Sequence, residues 1–304
     1  MKVSYQRNQI TFAYSVIVPV LLWFIIFIWY PVFRSFFVSL FDWIGFIDPK
    51  RVFIGFGNYQ KVLHDPVFKT ALSNTLLYTT EVVGFGIIIA LITAVFLEKV
   101  PERIRSLART VYFMPVVTSI IACGLIWKLL YDTNFGLINA IIGLFGIPPQ
   151  LWRRSPSQAL QSVIIMSLWK SFGFYVVILL AGLQSLSPDF SEAAEVDGAT
   201  GWKKFTHITL PLLKPTILFV LVMWVIQALQ AFTEVYVLTT GGAGHGVEGG
   251  GPAYATTTVV FHIVREAFQY QHYGFGSAMA IVLFVIILII TCIQFYLLRS
   301  NWEY

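Results

Sequence analysis

SEAAEVDGATGWKKFTHITLP, residues 191–211, is the stretch on which the reading of this chain turns. It is polar and alanine-rich, is interrupted by Gly198 and closes on Pro211, yet long apolar runs lie on both sides of it. Just ahead of it, Ser187 suits an N-cap and Pro188 the first helical position. Asp189 and Glu192 lie in or near the first turn, where the helix dipole favours anions. The helix is expected to run through EAAEVD and to stop at Gly198. Thr200 is placed to cap a second short helix over GWKKFTHIT, which Pro211 is expected to end. Ala193 and Ala194 give the first helix a face of small side chains, and Val196, Ala199 and Trp202 add an apolar edge. Such an edge fits the groove of a partner protein or the headgroup plane of a bilayer, and the residues alone leave both open.

The rest of the chain says what surrounds this segment. Of 304 residues, 57% are hydrophobic and 12% charged, against roughly 25% charged in soluble domains. Mean hydropathy is +0.76, with 27 Phe and 9 Trp. That composition excludes a disordered chain and an ordinary soluble one. Six apolar runs, 11–33, 71–97, 110–131, 160–183, 216–238 and 274–298, are each long enough to cross a hydrocarbon core about 30 Å thick. The expected fold is an all-α integral membrane protein with six transmembrane helices, residues 184–215 forming a structured loop between the fourth and fifth. Pro19 and Pro115 fall inside spans, where neighbouring helices can satisfy the freed backbone groups. The first run follows Lys2 and Arg7 and ends in WYPVF with no small-residue cleavage site, so an uncleaved anchor is expected. Cys123 and Cys292 both lie in spans and read as small apolar filler.

Orientation follows from Lys and Arg. With the N-terminus inside, segments 1–10, 98–109, 184–215 and 299–304 carry ten Lys and Arg over 60 residues, and the three opposite loops carry eight over 100. Both termini and the loop 184–215 are therefore expected in the cytoplasm. The net charge of +5 is then a topology signal and points to no nucleic-acid partner.

On this footing the loop meets a known pattern. Glu192, Ala193, Ala194, Gly198, Ile208, Leu210 and Pro211 stand at the spacing of the EAA loop of permease subunits in prokaryotic ABC importers, and Asp197-Gly198-Ala199 resembles its usual DGA. Segments 124–139 (GLIWKLLYDTNFGLIN), 232–244 (FTEVYVLTTGGAG) and 273–284 (YGFGSAMAIVLF) are similar to motifs of the maltose/glycerol-3-phosphate class, and to the first of its two permeases. Ala243 stands where that family usually has Pro, and the loop beyond it is unusually Gly-rich. The resemblance implies a coupling helix that docks into a cleft of an ATP-hydrolysing subunit, one of two in the complex. It also implies a second homologous permease, an extracytoplasmic binding protein, a sugar-type substrate, and a place in the cell membrane of a prokaryote.

Direct chemistry is sparse. There is no phosphate-cradling G-x-x-x-x-G-K-[ST], so no cofactor is expected on this chain; the resemblance implies that ATP with Mg is held by the partner. The five histidines lack metal-ligand spacing, no nucleophile elbow appears, and no enzyme is expected. The Gly-rich run 241–251 reads as a flexible outer loop. Glu81, Lys128, Lys170 and Glu234 are charges at membrane depth, which are costly and normally face the bundle interior or water. Lys128 and Glu234 can snorkel. Lys170 sits mid-span between aromatic residues and reads as either one half of an ion pair or a group on a translocation path. Trp169, Tyr175, Trp224, Gln227 and Gln230 would suit a sugar, which needs aromatic faces and amides; the same stripe would also serve as interhelical hydrogen bonding. A stand-alone six-span secondary transporter is the alternative. It should show an internal repeat, and none is evident.

Overall fold

A computed structural model of the chain describes residues 2–45, 50–240 and 249–298. In chain order the helices are α1 (Lys2–Phe24), α2 (Tyr30–Ser39), α3 (Gly57–His64), α4 (Pro66–Lys99), α5 (Glu102–Val117), α6 (Ile120–Leu130) and α7 (Leu137–Gly143). They continue with α8 (Ala159–Gln184), α9 (Pro188–Val196), α10 (Gly201–Lys204), α11 (Leu210–Leu229), α12 (Thr233–Thr239), α13 (Val259–Val264) and α14 (Tyr273–Leu298). A hairpin of β1 (Phe41–Ile44) against β2 (Lys50–Phe53) interrupts the helices, with Phe41 opposite Phe53. Among the described residues, five helices are long and apolar enough to cross a membrane: Phe12–Ser39, Pro66–Lys99, Ala159–Gln184, Gly201–Leu229 and Tyr273–Leu298. The pair Glu102–Val117 and Ile120–Leu130, bent by 95° at its break, is long and apolar enough when its two halves are taken as one span.

Four expectations need correction. The third span, expected unbroken over 110–131, is broken. Pro115 supplies no N–H to the ladder, and the Thr118 hydroxyl donates to the Met114 carbonyl at 2.8 Å. The backbone then turns extended, ψ being 143° at Thr118 and 131° at Ser119. The fifth span was expected over 216–238, but its helix starts at Gly201 and ends at Leu229. Pro211, expected to end the short helix before it, lies inside this continuous rod. The chain passes it by widening to a π-helical turn over Phe205–Thr209, where the Leu210 N–H donates to the Phe205 carbonyl. The extra residue moves the carbonyl that a proline ring would strike in an α-helix. The same device occurs at Pro31, two residues after a π-helical turn over Ile25–Trp29, and the first helix runs on to Ser39 past the expected end at 33.

The chain divides into two compact units. In the unit Met1–Asp65 with Ile263–Phe284, the Asn58 amide donates to the carbonyls of Ser39 (2.8 Å) and Phe41 (2.9 Å). Arg51 lies 3.9 Å over the Trp43 ring, and His272 Nδ1 stands 2.9 Å from a Glu266 carboxylate oxygen. In the unit Pro66–His262 with Val285–Tyr304, α4, α8 and α11 pack around Tyr78, Val82, Ala90, Met166, Tyr175 and Trp224. Lipid offers an apolar side chain what a protein core offers, so helices here gain by close backbone approach at small residues. Gly86 lies under Trp224, where an added Cβ would fall 2.2 Å from the indole, and Gly173 lies against the Tyr112 carbonyl at 1.9 Å from such a Cβ.

Candidate functional site

The loop between α8 and α11 folds as a helix, a left-handed glycine and a second helix. The Ser187 side chain accepts the Asp189 N–H at 3.3 Å, with Pro188 in the first turn. Gly198 has φ +78°, and behind it the Ala199 N–H returns to the Ala194 carbonyl at 2.8 Å. This left-handed closure satisfies the last carbonyls of α9. Thr200 makes no side-chain cap, so α10 starts from the backbone turn alone. Lys204 of α10 reaches Glu195 of α9 at 2.8 Å and ties the two helices. Between this pair and the adjoining ends of α4, α8 and α11 lies a cavity of about 600 Å³, lined by Leu186, Phe190, Phe205, Glu98, Glu195 and Lys204 among others.

The two alanines of the small face are separated. Ala194 is buried against its own chain, whereas Ala193, Glu192, Asp197 and Gly198 are exposed. Ala199, Ile208 and Leu210 are half-buried and Pro211 is exposed. The apolar edge is open to the outside: Val196 is 88% exposed and Trp202 75%. Glu192, Glu195 and Asp197, close to this apolar edge in sequence, are exposed as well.

The polar residues at membrane depth divide differently from the expected stripe. Tyr175 and Trp224 are buried and stack on each other, ring centroids 3.8 Å apart and 15° from parallel. The Tyr175 hydroxyl donates to Gln227 Oε1 at 2.9 Å. Gln230 lies past the end of α11, at its C-cap, so it does not extend the helical face of Trp224 and Gln227. Gln227, Gln230 and Trp169 are exposed, and Trp169 meets Trp127 edge-on at 5.7 Å. Because its hydroxyl bond is to the neighbouring helix, Tyr175→Phe should lower stability by about 1 kcal/mol. Thermal unfolding in detergent checks this.

Among the described residues Lys170 is in no ion pair. Its Nζ donates to the Pro115 carbonyl at 2.8 Å and to the Val116 carbonyl at 2.9 Å. A backbone carbonyl left without a donor in hydrocarbon costs several kcal/mol, on the order of a lost hydrogen bond in an apolar medium. Lys128 likewise donates to the Thr240 carbonyl and Arg153 to the Leu238 carbonyl at 3.1 Å, both at the end of α12. Burial, with Arg154 beside it, lowers the affinity of the Arg153 guanidinium for its proton. Glu81 accepts from the Gln161 amide at 3.1 Å, and Glu234 lies in the first turn of α12.

Sequence reasoning missed the groups that finish helix ends and close contacts. Arg105, counted only as a topology charge, donates to the carbonyls of Leu97, Glu98 and Val100 and so caps α4. Asn139 gathers the loop 132–158, donating to the carbonyls of Thr133 and Gln150 and accepting from the Trp152 indole at 2.7 Å. Asp132 accepts the N–H groups of Asn134 and Phe135, and these bonds, the first above all, hold its carboxyl below the usual range. Of the expected Gly-rich loop, residues 241–248 lie outside the described residues.

Residues 83–302 match the family model of binding-protein-dependent transport system inner membrane components. A probable ABC transporter permease protein, YurN of Bacillus subtilis, is 33% identical over 98% of this chain and 99% of its own. The trehalose/maltose transport system permease protein MalF of Thermococcus litoralis is 34% identical over 96% of this chain and 94% of its own. The lactose transport system permease protein LacF of Rhizobium radiobacter is 32% identical over 91% of this chain and 90% of its own. Among solved structures, a chain of a bacterial alginate ABC transporter in complex with alginate pentasaccharide-bound periplasmic protein superposes with TM-score 0.80. It is 24% identical, over 97% of this chain and 96% of that one, which speaks for the fold.

Proposed function

The chain belongs to the family of binding-protein-dependent transport system inner membrane components, and from that premise we propose that it is a permease subunit of an ABC importer for a sugar or related polyol. The observation that carries the mechanism is the capped α9–glycine–α10 unit with its exposed Val196 and Trp202. It presents Glu192 and Ala193 outward on α9, and its second helix runs on into a membrane helix. The density of Lys and Arg supports both termini and this loop in the cytoplasm.

In this reading the loop docks on one of two ATP-binding subunits, which hold ATP and Mg. A second, homologous permease completes the translocation path, and a binding protein delivers the substrate from outside. Glu192, Ala193, Ala194, Asp197, Gly198, Ala199, Ile208, Leu210 and Pro211 form the coupling element. Within it Ala194 packs the helix onto its own chain while Ala193 and the residues around Gly198 meet the partner. ATP and the loaded binding protein each favour one conformation, so their difference in affinity for the two states drives the switch. The sugar names of the relatives support the substrate class. For the path itself we keep the exposed Trp169, Gln227 and Gln230 as substrate contacts, with Tyr175 and Trp224 as the packed wall behind them and Lys170 as structural support.

The test is gentle solubilisation of the tagged chain from its host, followed by mass spectrometry of what accompanies it. An ATPase and a second permease should co-purify, with uptake dependent on a binding protein whose ligand can then be measured. A chain that purifies alone and still transports overturns the proposal.

A further inference from the structure

The bend in the third span is held from another helix. In an unbroken helix the carbonyls of Pro115 and Val116 would accept from the N–H groups of Ser119 and Ile120. Here the backbone has turned away at Thr118, and Pro115 keeps only the Thr118 N–H at 3.3 Å. The Lys170 ammonium supplies the missing donors, 2.8 Å from one carbonyl and 2.9 Å from the other. It also sets a positive charge at the C-terminal end of α5, where the helix dipole favours it. One turn further along α8, Gly173 brings the backbone of α8 directly onto the Tyr112 carbonyl. Pro115, Lys170 and Gly173 thus form one contact between two helices, centred on the 95° bend.

We propose that Lys170 is a positioning residue whose ammonium pins the third span in its bent form, and that the transport cycle requires this bend. The proposal assigns Lys170 no contact with substrate. Its transport arm rests on the importer reading above; its distance arm does not.

The experiment places spin labels at Arg103 and Leu129, on either side of the bend, with Cys123 and Cys292 replaced by alanine, in the assembled complex in lipid nanodiscs. At 1.5 Å per residue, the bent span separates the two backbone positions by about 27 Å and a straight one by about 39 Å. Lys170→Met should add a population near the longer distance, while Lys170→Arg keeps the shorter one. In proteoliposomes Lys170→Met should lower the maximal uptake rate at least tenfold with half-saturation within twofold, and Lys170→Arg should restore it. An unchanged distance in Lys170→Met overturns the pin. So does a raised half-saturation at an unchanged maximal rate, which would put the ammonium on the substrate. Should Lys170→Met fail to assemble, the double variant Pro115→Ala, Lys170→Met restores the missing N–H. It should assemble at the longer distance, and the shorter distance there also overturns the pin. If wild-type uptake is itself absent, the importer reading fails, while the distances still decide the role of Lys170.

Discussion

Replacing Val196 with aspartate should leave the protein inserted, full-length and as abundant as wild type, yet reduce uptake at least about 30-fold, the scale of a single interface hot spot. Val196 is 88% exposed, so its own chain loses almost no packing when the side chain changes. What changes is the outer edge of the loop. A carboxylate there joins Glu192, Glu195 and Asp197 around a tip that was apolar. A partner groove that takes up valine would have to desolvate a charge, a burial that is strongly unfavourable. Two measurements decide: uptake into whole cells, and the amount of ATPase that co-purifies. Undiminished uptake with the ATPase retained would show that this edge meets no partner.

Gly173→Val carries the second large effect, on stability. An added Cβ at this position would sit 1.9 Å from the Tyr112 backbone carbonyl, and a backbone atom cannot swing aside as a flexible side chain can. Helices α5 and α8 would have to separate, and with them the Lys170 hydrogen bonds at the bend would go. The cost should be at least about 3 kcal/mol, the upper range for overpacking. Size-exclusion profiles and thermal unfolding in detergent should show aggregated or early-melting protein. Gly84→Val is the control, because nothing lies within 4 Å of an added Cβ there. If both variants melt like wild type, the close approach of α5 and α8 does not exist in the folded protein.

Length and hydropathy alone located the fourth and sixth apolar helices, expected at 160–183 and 274–298 and found at Ala159–Gln184 and Tyr273–Leu298. Both ends of α9 were legible too, since Ser187, Pro188 and Gly198 each carry a local backbone preference. What was not legible depended on groups distant in the chain. Pro115 alone cannot say whether its helix kinks or breaks, because the donors that make a break tolerable come from Lys170. The end of α11 has no glycine or proline to mark it; the Ala231 carbonyl just beyond is taken by the Thr258 hydroxyl at 2.7 Å. Trp224 turned inward because Gly86 leaves room for its ring, a choice no periodicity on its own helix reveals. The alternation of Ala193 outside and Ala194 inside likewise needed the neighbouring helices to fix it.

The uninterrupted helix Gly201–Leu229 has one further consequence, for what evolution can edit. Over about 43 Å, at 1.5 Å and 100° per residue, the orientation of Trp202 at one end is geared to that of Trp224 and Gln227 at the other. One residue added or removed within this rod turns the two ends out of phase by more than a quarter of a revolution. The π-helical turn beside Pro211 already holds one such extra residue, so the present phase has been reached with that insertion included. Segment 201–229 should therefore tolerate changes of side chain far better than changes of length, whereas the hinge at Gly198–Thr200 is where a relative could lengthen the loop without turning the rod.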